Sequence, residues 1–135
     1  MTCPQVRGHG GRTTMEQHVK NLNDRTSADR WRNVIALEKM GEPAVNHLIA
    51  ALKDEDKWVR YTAADALGNI GERRSVQNLI LLLKDPDQDV RFVAAEALGR
   101  LGDPSAGEAL SETCRGDNCF VRIAAEEALA KISRQ

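Results

Sequence analysis

Metal binding, thiol chemistry and general-base catalysis all draw on histidine and cysteine, and this chain holds three of each in 135 residues. His9, His18 and His47 are scattered, and none is followed by glutamate. Cys114 and Cys119 lie five residues apart, but a tetrahedral zinc site would want two further ligands nearby, and Cys114 stands at a core position of the repeat. No glycine-rich phosphate loop, nucleophile elbow or convergent pair of acids is present. The chemistry that remains is recognition. Trp31, Trp58, Tyr61, Phe92 and Phe120 are the only aromatic residues, and Asp65, Asn69, Glu96, Arg100, Ile123 and Glu127 are interspersed with them. Aromatic side chains are the usual anchors of protein interfaces, so the question becomes which elements set them side by side.

Those elements repeat. Val59-Arg60, Val90-Arg91 and Val121-Arg122 each open an alanine-rich run ending in leucine, at an offset of 31 residues both times. The same offset carries Leu48 to Leu79 to Leu110, Ala63 to Ala94 to Ala125, Ala66 to Ala97 to Ala128, and Ile70 to Leu101 to Ile132. A period of this length means stacked copies of one small unit. A shift of 30 brings Arg30, Ala36, Leu37, Met40 and Gly41 onto Arg60, Ala66, Leu67, Ile70 and Gly71, which identifies a degenerate first copy one residue shorter in its turn.

Within a unit the pattern is helix, turn, helix. Val76, Leu79, Ile80 and Leu83 recur at helical spacing, Asp85-Pro86-Asp87 interrupts, and Val90, Ala94, Ala97 and Leu101 resume the period. Asp56, Asp87 and Asn118 share one repeat position just before each second helix, where a short side-chain oxygen accepts from free amides. Gly71 and Gly102 end second helices as left-handed C-caps do. The prediction is an all-α solenoid of four antiparallel hairpins, over 15–41, 42–71, 72–102 and 103–135, forming a single domain. Residues 1–14 have no apolar period and read as a flexible tail, and Met15 offers an alternative start to Met1. Polar Asn33 replaces Ala63 and Ala94 in the first unit, and Glu126 replaces Ala64 and Ala95 in the last. Both ends therefore read as caps of a complete array, with side chains facing places where no further repeat stacks.

A turn of about 100° per residue separates the faces of the second helix. Val59, Ala63, Ala66 and Ile70 share one side; Trp58, Tyr61, Thr62, Asp65 and Asn69 fall on the opposite side. The repeat equivalents of this second set are Asp89, Phe92, Val93, Glu96 and Arg100, then Phe120, Ile123, Ala124, Glu127 and Lys131. Trp31 aligns with Tyr61, so all five aromatics occupy one face. Hairpins stacked about 10 Å apart would join them into a stripe, and an exposed apolar strip of this kind marks a binding site. Its acids suit a partner carrying Lys or Arg among apolar groups; pairs such as Glu96-Arg100 and Glu127-Lys131 on a solvated helix explain the same charges.

The arginine of each Val-Arg pair follows an aspartate by six residues: Asp24-Arg30, Asp54-Arg60 and Asp85-Arg91. An arginine fork there reaches the carboxylate and carbonyls of the adjoining loop or repeat, giving an internal ladder. Gly116 takes the aspartate position in the last unit, with Asp117 one residue on, so the ladder should end or shift there. Cys114 replaces Leu52 and Leu83 and reads as core, whereas Cys119 takes the turn-side place of Lys57 and Gln88.

The string DPDQDVRFVAAEALGRLGDPSAGEAL, echoed in DEDKWVRYTAADALGNIG and DNCFVRIAAEEALAKIS, resembles the short HEAT-like repeats of the phycobilisome-lyase type. The resemblance implies an α-solenoid whose second helices line a concave face used to bind other proteins. Some relatives assist bilin attachment, and a hydroxylase with related repeats holds metal on His-Glu pairs. Those pairs are missing here, so metal dependence does not carry over.

Composition bounds the rest. At 41% hydrophobic and 29% charged the chain is an ordinary globular sequence. A net charge of −1 lacks the basic character that phosphate neutralisation requires, which argues against nucleic acid. No run approaches the roughly 20 apolar residues of a membrane span, the start lacks a signal peptide's apolar segment, and the odd cysteine count does not suit a secreted disulfide framework; the chain reads as cytoplasmic. The function expected is a non-catalytic, cofactor-free protein-protein interaction scaffold, monomeric or weakly self-associating. The alternative is an accessory subunit of a lyase-like bilin-attachment or other protein-modifying system.

Overall fold

A computed structural model describes residues 14–24 and 29–134. The segment read as a tail, apart from Thr14, lies outside the described residues, as does the choice between Met1 and Met15 as start. Eight α-helices are present among the described residues: α1 (Met15–Asn23), α2 (Trp31–Met40), α3 (Val45–Ala51), α4 (Lys57–Ile70), α5 (Val76–Leu82), α6 (Gln88–Leu101), α7 (Gly107–Gly116) and α8 (Cys119–Ser133). Short 3₁₀ turns at Glu42–Ala44, Arg73–Ser75 and Pro104–Ala106 lead into α3, α5 and α7. Helices pack in pairs, α1 on α2, α3 on α4, α5 on α6 and α7 on α8, and the second helices α2, α4, α6 and α8 stack in sequence. The architecture is an α-solenoid.

Local chemistry sets where each second helix begins and ends. Asp56 accepts from the Trp58 amide at 2.8 Å, Asp87 from Asp89 at 2.8 Å and Val90 at 3.3 Å, and Asn118 from Val121 at 3.0 Å. Each thereby satisfies first-turn amides that the helix leaves unpaired. At the other end Gly71 and Gly102 adopt φ of 81° and 66°. Side chains with a Cβ rarely adopt that left-handed conformation, which turns the chain back toward the next hairpin.

The core is aliphatic. Leu37, Leu48, Leu67, Leu79, Leu98 and Leu110 are fully buried at corresponding levels of the stack, together with Val59 and Val90, each contributing on the order of 2 kcal/mol through removal from water. Alanine and glycine then draw the second helices together. A Cβ added at Gly68 would lie 2.9 Å from the Ala97 Cβ, and one at Gly99 would lie 3.0 Å from the Ala128 Cα. The corresponding residue of α8 is Ala130, which is exposed. First helices make no comparable mutual approach.

Close approach also corrects two expectations. Val93 and Ala124, placed by angle on the outward face, are 1% and 3% exposed, because the neighbouring second helix covers the flank on which they sit. Asn33 does not face an empty end of the stack. Its side-chain oxygen lies 3.1 Å from His18 Nδ1 on α1, so its polarity is matched within its own hairpin. Glu126, at the other end, is exposed.

Candidate functional site

Because the caps fix the first turns of α4, α6 and α8, Trp58, Asp89 and Phe120 project from equivalent places at one edge of the second-helix layer. Trp58 is 47% exposed, Phe120 75% and Ile123 47%. Tyr61 and Phe92, one turn further on, are half-buried and pack against the core; Trp31 is also half-buried. The five aromatics thus divide into exposed anchors and the floor beneath them. Trp58 and Tyr61 meet edge-to-face with centroids 5.9 Å apart and planes at 69°, a favoured aromatic geometry. Together with Trp31 and Thr62 they line a cleft of about 330 Å³ between α2 and α4. A second cleft of about 310 Å³, between α6 and α8, is lined by Gln88, Asp89, Phe92, Asn118, Phe120 and Val121.

Cations border the first cleft. Lys57 Nζ stands 4.9 Å from the Trp58 ring centroid while pairing with Asp87 at 3.0 Å, and the Arg32 guanidinium lies 5.5 Å from the Trp31 centroid. Burial raises the Asp87 carboxyl, but its bonds from Lys57 and from the first-turn amides of α6 outweigh this and hold it below the ordinary aspartate range.

Toward the C-terminal half of the face the charges connect successive second helices. Arg100 donates to Asp65 at 3.0 Å and to the Asn69 side chain, and Asn69 donates to Glu38 at 3.1 Å. The expected Glu96-Arg100 pair is therefore replaced by a cross-helix one, because the tight packing puts Asp65 within the arginine's reach. Asp89, Glu96 and Glu127 accept no side-chain bond among the described residues. The Tyr61 hydroxyl is correspondingly held above its ordinary value, first by burial and then by the negative charge of Asp65, Glu96 and Asp89.

The arginine ladder occupies a different edge, under the turns inside each hairpin. Arg30 binds Asp54 through both Nη atoms at 2.8 and 2.9 Å and also donates to the Leu22 carbonyl at 2.9 Å. Arg60 binds Asp85 at 2.8 and 3.0 Å and the Asp54 carbonyl at 2.8 Å. Arg91 binds Asp117 at 2.7 and 3.1 Å and the Asp85 carbonyl at 2.7 Å. The carboxylate always comes from the following repeat; at Arg60 and Arg91 the aspartate six residues earlier supplies its backbone oxygen, a place taken by the Leu22 carbonyl at Arg30. Asp117 does not end the ladder, because it reaches Arg91 from one position later while bonding the adjacent Asn118 amide at 2.7 Å. Asp54 and Asp85 bond the amide two residues on, each at 2.9 Å.

Residues able to do other chemistry stay apart. His18 bonds Asn33, and His47 lines a separate cleft with Met15 and Val19 at the N-terminal hairpins. Cys114 is half-buried, and burial raises its thiol pKa; Cys119 is exposed. Among the described residues no cluster of three His, Cys, Asp or Glu could hold a metal ion, and no helix is long and apolar enough to cross a membrane. The row of acids Asp65, Glu96 and Glu127 was open to sequence reasoning. The close contacts of Gly68 and Gly99 were missed, although glycine recurring at the repeat offset was a visible signal.

No curated protein matches the sequence. Among solved structures, the complex of CpcE and CpcF of phycocyanin lyase from Nostoc sp. PCC7120 is similar at a TM-score of 0.80 and 30% identity, over 99% of this chain and 59% of that one. Human deoxyhypusine hydroxylase in complex with glycerol shares the fold at a TM-score of 0.80 and 24% identity, over 93% of this chain and 46% of that one. The chain thus spans roughly half the length of these structural neighbours. HEAT repeats match residues 15–84 and 45–130, nearly the whole stack described above, and the chain belongs to the HEAT repeat family.

Proposed function

We propose that the protein is a non-catalytic scaffold that binds another protein across its second-helix face. The observation that carries this reading is the pair of aromatic-floored clefts, each with a largely exposed aromatic at its rim, Trp58 at 47% and Phe120 at 75%. Neither aromatic is needed to close the aliphatic core, and apolar surface gathered on one face is favourable to bury against a partner. Asp65, Asn69, Glu96, Arg100, Ile123 and Glu127 then supply a polar and apolar surround, with Trp31, Tyr61 and Phe92 as floor. Affinity capture from native extract, comparing wild type with a Trp58→Ala/Phe120→Ala variant of unchanged helicity, tests it. Loss of the captured protein is expected; retention of the same partners overturns the reading.

The likeness to the phycocyanin lyase complex favours a second reading, an accessory subunit of a bilin-attachment or other modifying system, working beside a protein that completes it. A bilin absorbance band that co-purifies with the protein supports that role, and a colourless complex with a protein partner opposes it.

A further inference from the structure

Resting on the scaffold reading, we infer that the partner lies across the second helices as an extended segment with two large apolar side chains about six residues apart and a Lys or Arg between them. The two clefts sit in alternate grooves of the stack, one between α2 and α4 and the other between α6 and α8. With second helices about 10 Å apart, their centres are about 20 Å apart. An extended chain advances about 3.3 Å per residue, so six residues span that distance, and an even number returns the side chain to the same face. Each cleft, at about 330 and 310 Å³, accommodates a single large side chain.

Charge defines what lies between the anchors. Asp89 and Glu96 project from α6 and accept no side-chain bond among the described residues. Of the two cations bordering the first cleft, Lys57 is already paired with Asp87 at 3.0 Å and Arg32 lies 4.0 Å from Asp29, while Arg100 is paired with Asp65 at 3.0 Å. The stretch between the clefts is therefore left with uncompensated negative charge over the half-buried rings of Tyr61 and Phe92. A partner's ammonium or guanidinium there gains both carboxylate and ring attraction, while a partner acid is repelled.

Synthetic peptides test this directly. Each carries two phenylalanines with a central lysine in a Gly/Ser/Thr background, the phenylalanines four, six or eight residues apart. Trp31 and Trp58 are the only tryptophans in the chain, and both line one cleft, so intrinsic fluorescence reports its occupancy. The six-residue spacing is expected to bind about tenfold more tightly than the others, a difference of about 1.4 kcal/mol. Replacing the central lysine by glutamate, or using an Asp89→Asn/Glu96→Gln variant, is expected to remove a similar factor. Affinity indifferent to spacing, or to the sign of the central charge, overturns the inference. If the peptides do not discriminate but capture of the native partner still requires Trp58 and Phe120, the extended-segment inference falls alone; if capture requires neither, the scaffold reading falls with it.

Discussion

Two edges of the same second helices follow the repeat in opposite ways. Under the turns, arginine recurs at 30, 60, 91 and 122, and each of the first three binds the next hairpin's aspartate through two nitrogens. On the outward face an acid recurs at 65, 96 and 127, but nearer the start of the helices the residue type varies: Trp58, Asp89, Phe120 at one position and Tyr61, Phe92, Ile123 at the next. Positions that must join one hairpin to another tolerate little variety, because a buried fork needs its carboxylate. Positions released from that duty can be shaped to something outside the chain. The difference separates what holds the stack together from what it presents.

The largest effects should fall on the ladder. Arg60→Ala leaves Asp85, 5% exposed in its side chain, without its cation and is expected to destabilise by about 3–5 kcal/mol in urea unfolding. Arg122→Ala removes the same residue type where it is exposed and makes no ion pair among the described residues, and is expected to change stability by less than about 0.5 kcal/mol. Equal effects at both sites would dissolve the distinction between ladder and surface. Gly68→Ala comes next: overpacking against Ala97 should outweigh the gain in helix propensity, for a net loss of about 1–2 kcal/mol. Trp58→Ala/Phe120→Ala should move stability by less than about 1 kcal/mol while weakening partner binding.

The smallest effect is a titration. Tyr61 is the sole tyrosine, so ultraviolet absorbance follows it alone, and ionisation is expected above the ordinary phenol value of about 10. Because the folded value is raised, its contribution to stability is complete below the unfolded value and is lost as pH rises through the folded one. Ionisation at or below the ordinary value would show that Tyr61 is neither buried nor close to the acids.

Much of this could be read from the chain because the repeat supplied its own ruler. Asp56, Asp87 and Asn118 identified themselves as caps by position, and Gly71 and Gly102 as stops. What escaped depended on the distance between helices, which a helical wheel does not contain. Val93 and Ala124 lie outward by angle yet are covered by the next helix, and Arg100 bonds across to Asp65 in preference to the acid one turn away. The ladder's direction was also ambiguous in sequence, since an aspartate stands both six residues before Arg60 and about 25 after it, and only the stacking decides that the later one supplies the carboxylate. The shape of the two clefts depended on the same spacing, although the aromatics that form them were visible.

The central claim, that recognition belongs to the second-helix face, is tested most directly by calorimetric titration of a captured partner against surface variants of the two layers. Leu81 on α5 is 70% exposed and belongs to the first-helix layer. Trp58→Ala/Phe120→Ala is predicted to weaken binding by more than about tenfold while Leu81→Ala leaves it unchanged; loss of binding with Leu81→Ala and not with the aromatic pair would contradict the account.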